Sequence, residues 1–270
     1  MGHNRYVIEG GAEGRNRLRV LSDVFGPATR DFLAQVGIPQ GATCLDLGCG
    51  GGDVTRELAQ MVGPTGAVLG VDYDAVVLAA ARQETMDAGL ANVSFADHDV
   101  TSWEPEVQFD VVYARFIFSH LTDPAAVMAG LRRHMAPDGV MIVEDVDFRG
   151  HFAEPQCPAL TRYTDLYSRS VRNRGADPWI GPKLPGHLRA AGFDDVKVQL
   201  YHPVALHGGI KQLTCTTLAN IGGAVLQDNL TTEEEFTATL SELTAFADDT
   251  STLMGGPRTF QVWGRNPVAQ

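Results

Sequence analysis

Leu45-Asp46-Leu47-Gly48-Cys49-Gly50-Gly51-Gly52-Asp53-Val54-Thr55 is an apolar run that ends in a glycine-rich turn, and the turn opens a helical pattern. Farther on, Val68-Leu69-Gly70-Val71-Asp72 reads as a second buried strand ending in an acid. Strand, glycine loop, helix, strand, acid is the layout of a nucleoside-cofactor site. The glycines fall at 48, 50, 51 and 52, so counting G-x-G-x-x-G from Gly48 places Asp53 where a dinucleotide fingerprint has its third glycine. Asp46, two residues before the turn, would repel a diphosphate and suits a ligand with a positive ammonium group. Glycines let the backbone approach such a ligand closely, because no Cβ intrudes.

Outward from this loop, strand and helix patterns alternate. Strands are expected at 43–47, 67–71, 93–96, 110–114 and 140–144, with helices at 54–62, 75–88 and 124–135 between them. Asp72 also stands ready to cap the helix at 75–88. Pro137-Asp138-Gly139 reads as a turn launching the fifth strand. The alternation predicts a Rossmann-like, doubly wound α/β fold with helices on both faces of a mostly parallel sheet. Before it, residues 13–36 look helical, interrupted at Gly26-Pro27. After Asp147 come helices at 155–175 and 181–192, a strand at 195–201, one long helical stretch at 207–249 and a last strand at 259–263. The expected organisation is an N-terminal helical lid over residues 1–40, a core over 41–148, and the rest of the sheet with a helical cap over 149–270.

The formal net charge of −12 repels phosphate backbones and anionic membrane surfaces, which argues against nucleic-acid and membrane partners. Arg15, Arg17 and Arg19 read as one solvated helix face, with Tyr6 and Arg17 as candidates for the lid. Cys44, Cys49, Cys157 and Cys215 lack metal-ligand or redox spacing, so reduced thiols and a cytoplasmic location are expected. No signal pattern or spanning apolar run is visible.

The chain resembles the class I S-adenosylmethionine-dependent methyltransferases over roughly residues 41–147. Leu45 to Gly52 is similar to the family's first motif, and Val93-Ser94-Phe95-Ala96-Asp97-His98-Asp99-Val100 to its adenine segment. Phe109-Asp110-Val111-Val112 and Leu131 to Val140 resemble two later motifs, with Asp138 where a glycine is common. The resemblance implies a seven-stranded sheet whose last strand is antiparallel, and S-adenosylmethionine as cofactor. It places Asp46, Gly48, Cys49, Gly50 and Gly52 at the cofactor loop. Asp72 falls on the ribose hydroxyls, Tyr73 against adenine, Asp99 (with Asp97 competing) on the exocyclic amine, and Val100 beside it. Arg115 falls at the methionine end. The narrower likeness is to small-molecule enzymes of bacterial metabolism, natural-product tailoring enzymes included. A homodimer is compatible with this reading.

Methyl transfer needs an aligned acceptor and exclusion of water more than it needs a covalent catalyst. His120 is a candidate base at the rim after the fourth strand. Asp145 is the second candidate catalytic residue. Tyr6, His120, Asp147, His151 and Trp179 are candidates for the acceptor pocket, with Tyr163, Tyr167, Phe152, His202 and His207 as further wall residues. Glu144, Asp145 and Asp147 cluster at a strand end, but Tyr113-Ala114-Arg115 stands where a metal-dependent relative has its first acid, so no metal is expected. Two rivals stand beside this reading: a nicotinamide oxidoreductase on a related sheet, and a protein that binds the cofactor without transferring its methyl group.

Overall fold

A computed structural model describes residues 11–268. In chain order the elements are α1 (Gly11–Val36), β1 (Thr43–Leu47), α2 (Asp53–Val62), β2 (Ala67–Asp72), α3 (Ala75–Asp87), β3 (Val93–Asp97), β4 (Phe109–Arg115), α4 (Pro124–Arg132) and β5 (Met135–Asp147). There follow β6 (Phe152–Glu154), α5 (Pro158–Asn173), α6 (Leu184–Ala190), β7 (Asp194–Tyr201), β8 (Val204–Ala205), α7 (Gly209–Asn220), α8 (Gly222–Gln227), α9 (Glu233–Asp248), β9 (Leu253–Gly255) and β10 (Arg258–Arg265).

Seven strands form one sheet in the order β3-β2-β1-β4-β5-β10-β7. The first five pair in parallel, and β10 runs antiparallel to both its neighbours. The central strands are apolar on both faces because both faces are covered. Cys44, Val111, Tyr113 and Ile142 pack with Phe32 and Leu33 of α1 and Leu58 of α2. The intervening Leu45, Val112, Ala114 and Val143 pack with Met128 and Leu131 of α4 and Leu184 and Leu188 of α6. The period of two along each strand thus divides one apolar run between two cores.

The order in which strands are added reverses between the parallel neighbours β1 and β4, so the connections leaving their carboxyl ends run to opposite sides and leave a crevice. Helices α1, α5 and α7 to α9 gather above that edge. Tyr163, Leu166 and Tyr167 of α5 share a core with Leu218 of α7, Val225 of α8 and Leu243 of α9, and Leu21 and Phe25 of α1 pack on Ile210 and Leu213 of α7.

The structure departs from the expected elements in four places. Helix α1 runs unbroken through Pro27. Buried side chains on both sides, Leu21 and Phe25 before it and Phe32 and Leu33 after it, anchor the helix to two cores and outweigh the missing hydrogen bond. The stretch 207–249 is three helices. Asn229 takes a left-handed φ of 53°, and Thr232 with Glu235 forms a capping box that starts α9. Pro137-Asp138-Gly139 lies within the span of β5, where Asp138 has φ 63° and the register with β4 shifts between Phe109 and Val111. A second sheet, β6-β9-β8, was not expected, because strands of two or three residues carry no readable alternation.

Candidate cofactor and acceptor site

The carboxyl ends of β1 to β5 open into one cleft of about 490 Å³, roofed by side chains of α1, α5 and α7. At its floor the glycine loop folds back on β2. The N–H groups of Gly48 and Cys49 both donate to the Val71 carbonyl, at 2.8 and 3.0 Å. Gly48 has φ 70°, and a Cβ there would stand 2.5 Å from Ile117 Cδ1. Gly70 of β2 is equally constrained, since a Cβ would meet Phe95 at 2.7 Å and Cys49 Sγ at 3.0 Å. Cys49 is therefore packed under the loop as a small filler, and burial pushes its thiol pKa well up. Gly52 lies off the cleft wall. It is the left-handed N-cap of α2, and a Cβ would strike Phe95.

Asp46 is buried at the end of β1 and accepts a 2.6 Å hydrogen bond from Thr55 Oγ1. Burial raises its pKa to about 6, against the opposing pull of that bond and of Arg115. Asp72 lines the cleft with one oxygen on the Gly50 N–H at 2.9 Å and the other on the Asp74 N–H at 3.0 Å. Burial raises its pKa as well. The capping role falls to Asp74, which accepts from Val76 and Val77, so Asp72 does not cap α3. Tyr73, Asp97, Asp99 and Val100 complete this end, with Asp99 accepting the N–H and hydroxyl of Thr101. Arg115 donates to Thr29 Oγ1 at 3.1 Å and lies 5.8 Å from the Phe116 ring centre.

The other end of the cleft is aromatic. Phe148 stacks on Tyr167 at 3.9 Å, and Phe25 meets Phe116 edge-on at 4.9 Å. His120 closes a short 3-10 turn, Phe118–His120, and lines this chamber. Desolvation, with the charge of Arg17 added, lowers its pKa to about 3, so the imidazole is neutral. His151 also lines the chamber, with Nδ1 2.8 Å from the Phe148 carbonyl, and burial lowers its pKa to about 4.

Several expected pocket residues lie elsewhere. Asp145 is fully buried behind the wall, accepting the N–H groups of Ser119 and Val146. Asp147 is tied at 2.7 Å to both Arg149 and Arg258. The guanidinium groups of Arg149 and Arg172 lie 5.5 and 5.2 Å from the Trp179 ring centre. His202 bridges the carbonyls of Gly150 and Gly256, and His207 is exposed. Phe152 supports the small sheet. Tyr6 lies outside the described residues. The reading of Arg15, Arg17 and Arg19 as one solvated face fails at its middle member. Arg15 and Arg19 reach Glu84, whereas Arg17 turns into the cleft. Among the described residues no metal-binding cluster occurs. Sequence reasoning placed Phe116 at the rim after the fourth strand, where it lines the cleft, and missed Phe148 and the inner face of α7. The face of α7 was findable, since Ile210, Leu213, Thr214 and Thr217 repeat at helical spacing.

A family profile for the methyltransferase domain matches residues 38–178, just over half of the chain. The chain belongs to the methyltransferase domain family. Its cofactor is S-adenosylmethionine, and the nicotinamide reading is set aside. This methyltransferase is 36% identical over 165 residues to the trans-aconitate 2-methyltransferase of Azoarcus sp., a match spanning 60% of this chain and 63% of that protein, under two thirds of its length. It is 31% identical over 200 residues to the ubiquinone/menaquinone biosynthesis C-methyltransferase UbiE of Stutzerimonas stutzeri, covering 65% of this chain and 75% of that one. BH2331 of Bacillus halodurans shares the fold with a TM-score of 0.63 at 18% identity, over 89% of this chain and 100% of that one. The cleft suits the cofactor. Carboxylates crowd the loop, which favours a cation and disfavours a diphosphate, and Gly48 leaves no room for a Cβ.

Proposed function

We propose that this methyltransferase transfers the methyl group of S-adenosylmethionine to an O, N or C atom of a small organic molecule, in the cytoplasm and in bacterial secondary metabolism. One observation carries the reading. A single cleft joins the carboxylate-lined loop to an aromatic chamber, so a donor and a small acceptor can share one enclosed space. The relatives named above are a trans-aconitate methyltransferase and a C-methyltransferase of ubiquinone and menaquinone biosynthesis, which supports a small acceptor. The four cysteines are free, in keeping with a reducing compartment. No helix among the described residues is long and apolar enough to cross a membrane.

When bound, S-adenosylmethionine supplies a methyl group already activated by its sulfonium. The residues of the chain bind and orient. Asp46 would receive the ammonium, Asp72 the ribose hydroxyls, and Asp99 with the Val100 N–H the adenine, against Tyr73. Gly48, Cys49 and Gly50 would supply backbone contact, with Arg115 at the methionine end. The rings of Phe25, Phe116, Phe148 and Tyr167 exclude water from the acceptor. His120 presents a neutral imidazole to the chamber. Its weak basicity makes it a hydrogen-bonding and positioning group first, and a proton acceptor only from an acidic acceptor.

The test is incubation with methyl-labelled S-adenosylmethionine and a panel of small acids, phenols and amines. Acceptor-dependent label transfer is expected. Tight binding of S-adenosylhomocysteine with no transfer to any panel member would favour the binding-only alternative.

A further inference from the structure

Charge is divided between the two ends of the cleft. All its lining carboxylates, Asp46, Asp53, Asp72, Asp74, Asp97 and Asp99, come from the ends of β1, β2 and β3 and from the loops and helix starts that follow them. The chamber beneath α1, α5 and α7 has no carboxylate among the described residues, in a chain of formal net charge −12. It does have a cation. Arg17 enters from α1, and its Nε donates to Thr217 Oγ1 at 3.2 Å. Its charge also acts on His120 and on Tyr163, which line two other walls of the chamber. Arg15 and Arg19, on the other side of the same helix, are both satisfied by Glu84. Arg17 makes no ion pair among the described residues, and neither of its Nη groups has a described partner.

A half-enclosed guanidinium without a counter-charge is costly, and its fork of N–H donors matches a carboxylate in plane and spacing. The surrounding walls are flat rings, Phe148 on Tyr167 and Phe25 against Phe116. We propose that the acceptor is a small planar carboxylate, anchored through its anionic group by the Nη groups of Arg17 while its conjugated body lies between the aromatic walls. This assignment rests on the reading of the chamber as the acceptor site.

Calorimetric titration of the protein saturated with S-adenosylhomocysteine tests it, with benzoate, cinnamate and 1-naphthoate as probes, each beside its uncharged amide. At least one acid is expected to bind tenfold or more tightly than its amide. Arg17→Gln should erase that preference, and Arg17→Lys should restore part of it, with the affinity for S-adenosylhomocysteine held within about twofold in both. Equal binding of every acid and its amide, no binding of any acid, or a preference that survives in Arg17→Gln overturns the proposal. Failure of S-adenosylhomocysteine to bind the unmodified protein is a separate result. It would sink the donor reading, while the acid preference is still measured on the protein alone. Should Arg17→Gln not fold, Arg17→Lys decides: a weakened preference for benzoate, cinnamate or 1-naphthoate, with the affinity for S-adenosylhomocysteine held, supports the anchor, and an unchanged preference overturns it.

Discussion

The Asp145 carboxylate accepts the backbone N–H of Ser119 at 3.0 Å, and by this bond β5 holds the turn that carries His120. Asp145 has no exposed surface and its second oxygen accepts the Val146 N–H, so the side chain acts on the neighbouring backbone and not on an acceptor. Asp145→Asn keeps the shape but can turn an amide donor toward the Ser119 N–H. We expect turnover to fall at least about tenfold with the affinity for S-adenosylhomocysteine unchanged, a separation that steady-state kinetics and calorimetry would reveal. Equal losses in both would mean that the turn also shapes the donor end.

With Asp46 on the ammonium, as proposed, donor binding should depend on pH. Its pKa of about 6 in the free protein means that much of it is neutral below that value. An ammonium-bearing ligand favours the ionised form, so the bound pKa lies lower and affinity rises with pH until about 6, then levels. The affinity for S-adenosylhomocysteine should be about tenfold weaker at pH 5 than at pH 7.5. Asp46→Asn should bind weakly and nearly independently of pH. A profile unaltered by that substitution would remove Asp46 from the ammonium contact.

His120 gives the fold a sensitivity to acid. Its folded pKa, about 3, lies below the ordinary value of 6.5, so the unfolded chain binds the proton first. Its contribution is intact above pH 6.5 and is lost as pH falls toward 3, by at most about 1.4 kcal/mol per unit and less where cleft water screens the ring. His120→Leu has no such group. Its stability relative to the parent should improve steadily from pH 6.5 to pH 4 in urea melts. Parallel curves would show that the imidazole is solvated.

Lys211 of α7 ties together the loop before α7 and the loop after α9. Its fully buried ammonium donates to the carbonyls of Leu206, Asp249 and Thr252 and to the Thr252 hydroxyl, all within 3.0 Å. Lys211→Met fills similar space and leaves these acceptors unmatched, at a cost of about 3 kcal/mol. Denaturant unfolding should show the loss. Because α7 supplies one wall of the chamber, acceptor binding should weaken while donor binding holds.

The core of the sheet was legible because its rule is local. Buried parallel strands are short apolar runs, and the loop at Gly48 needs glycine wherever the backbone turns left-handed against Ile117. The acceptor chamber was far less legible. Asp147 and Trp179 look like pocket residues by position, yet Asp147 is claimed by Arg149 beside it and by Arg258, 111 residues away, and Trp179 by Arg172 and the more distant Arg149. Arg17 looked like its neighbours at 15 and 19, because a charged helix face is judged by composition until the partner of each charge is known. The unbroken α1 shows the same limit. Proline at 27 is a local signal to stop, and two distant cores override it.

By itself the sequence determined the strand order's repeating unit, the glycine loop and the acids around it, since each depends on residues close together in the chain. Tertiary structure alone decided which side chains face the acceptor. Helices from both ends of the chain converge over the strand ends, and a side chain's role there depends on charges and rings that lie up to two hundred positions away, as Arg17 and Thr217 do.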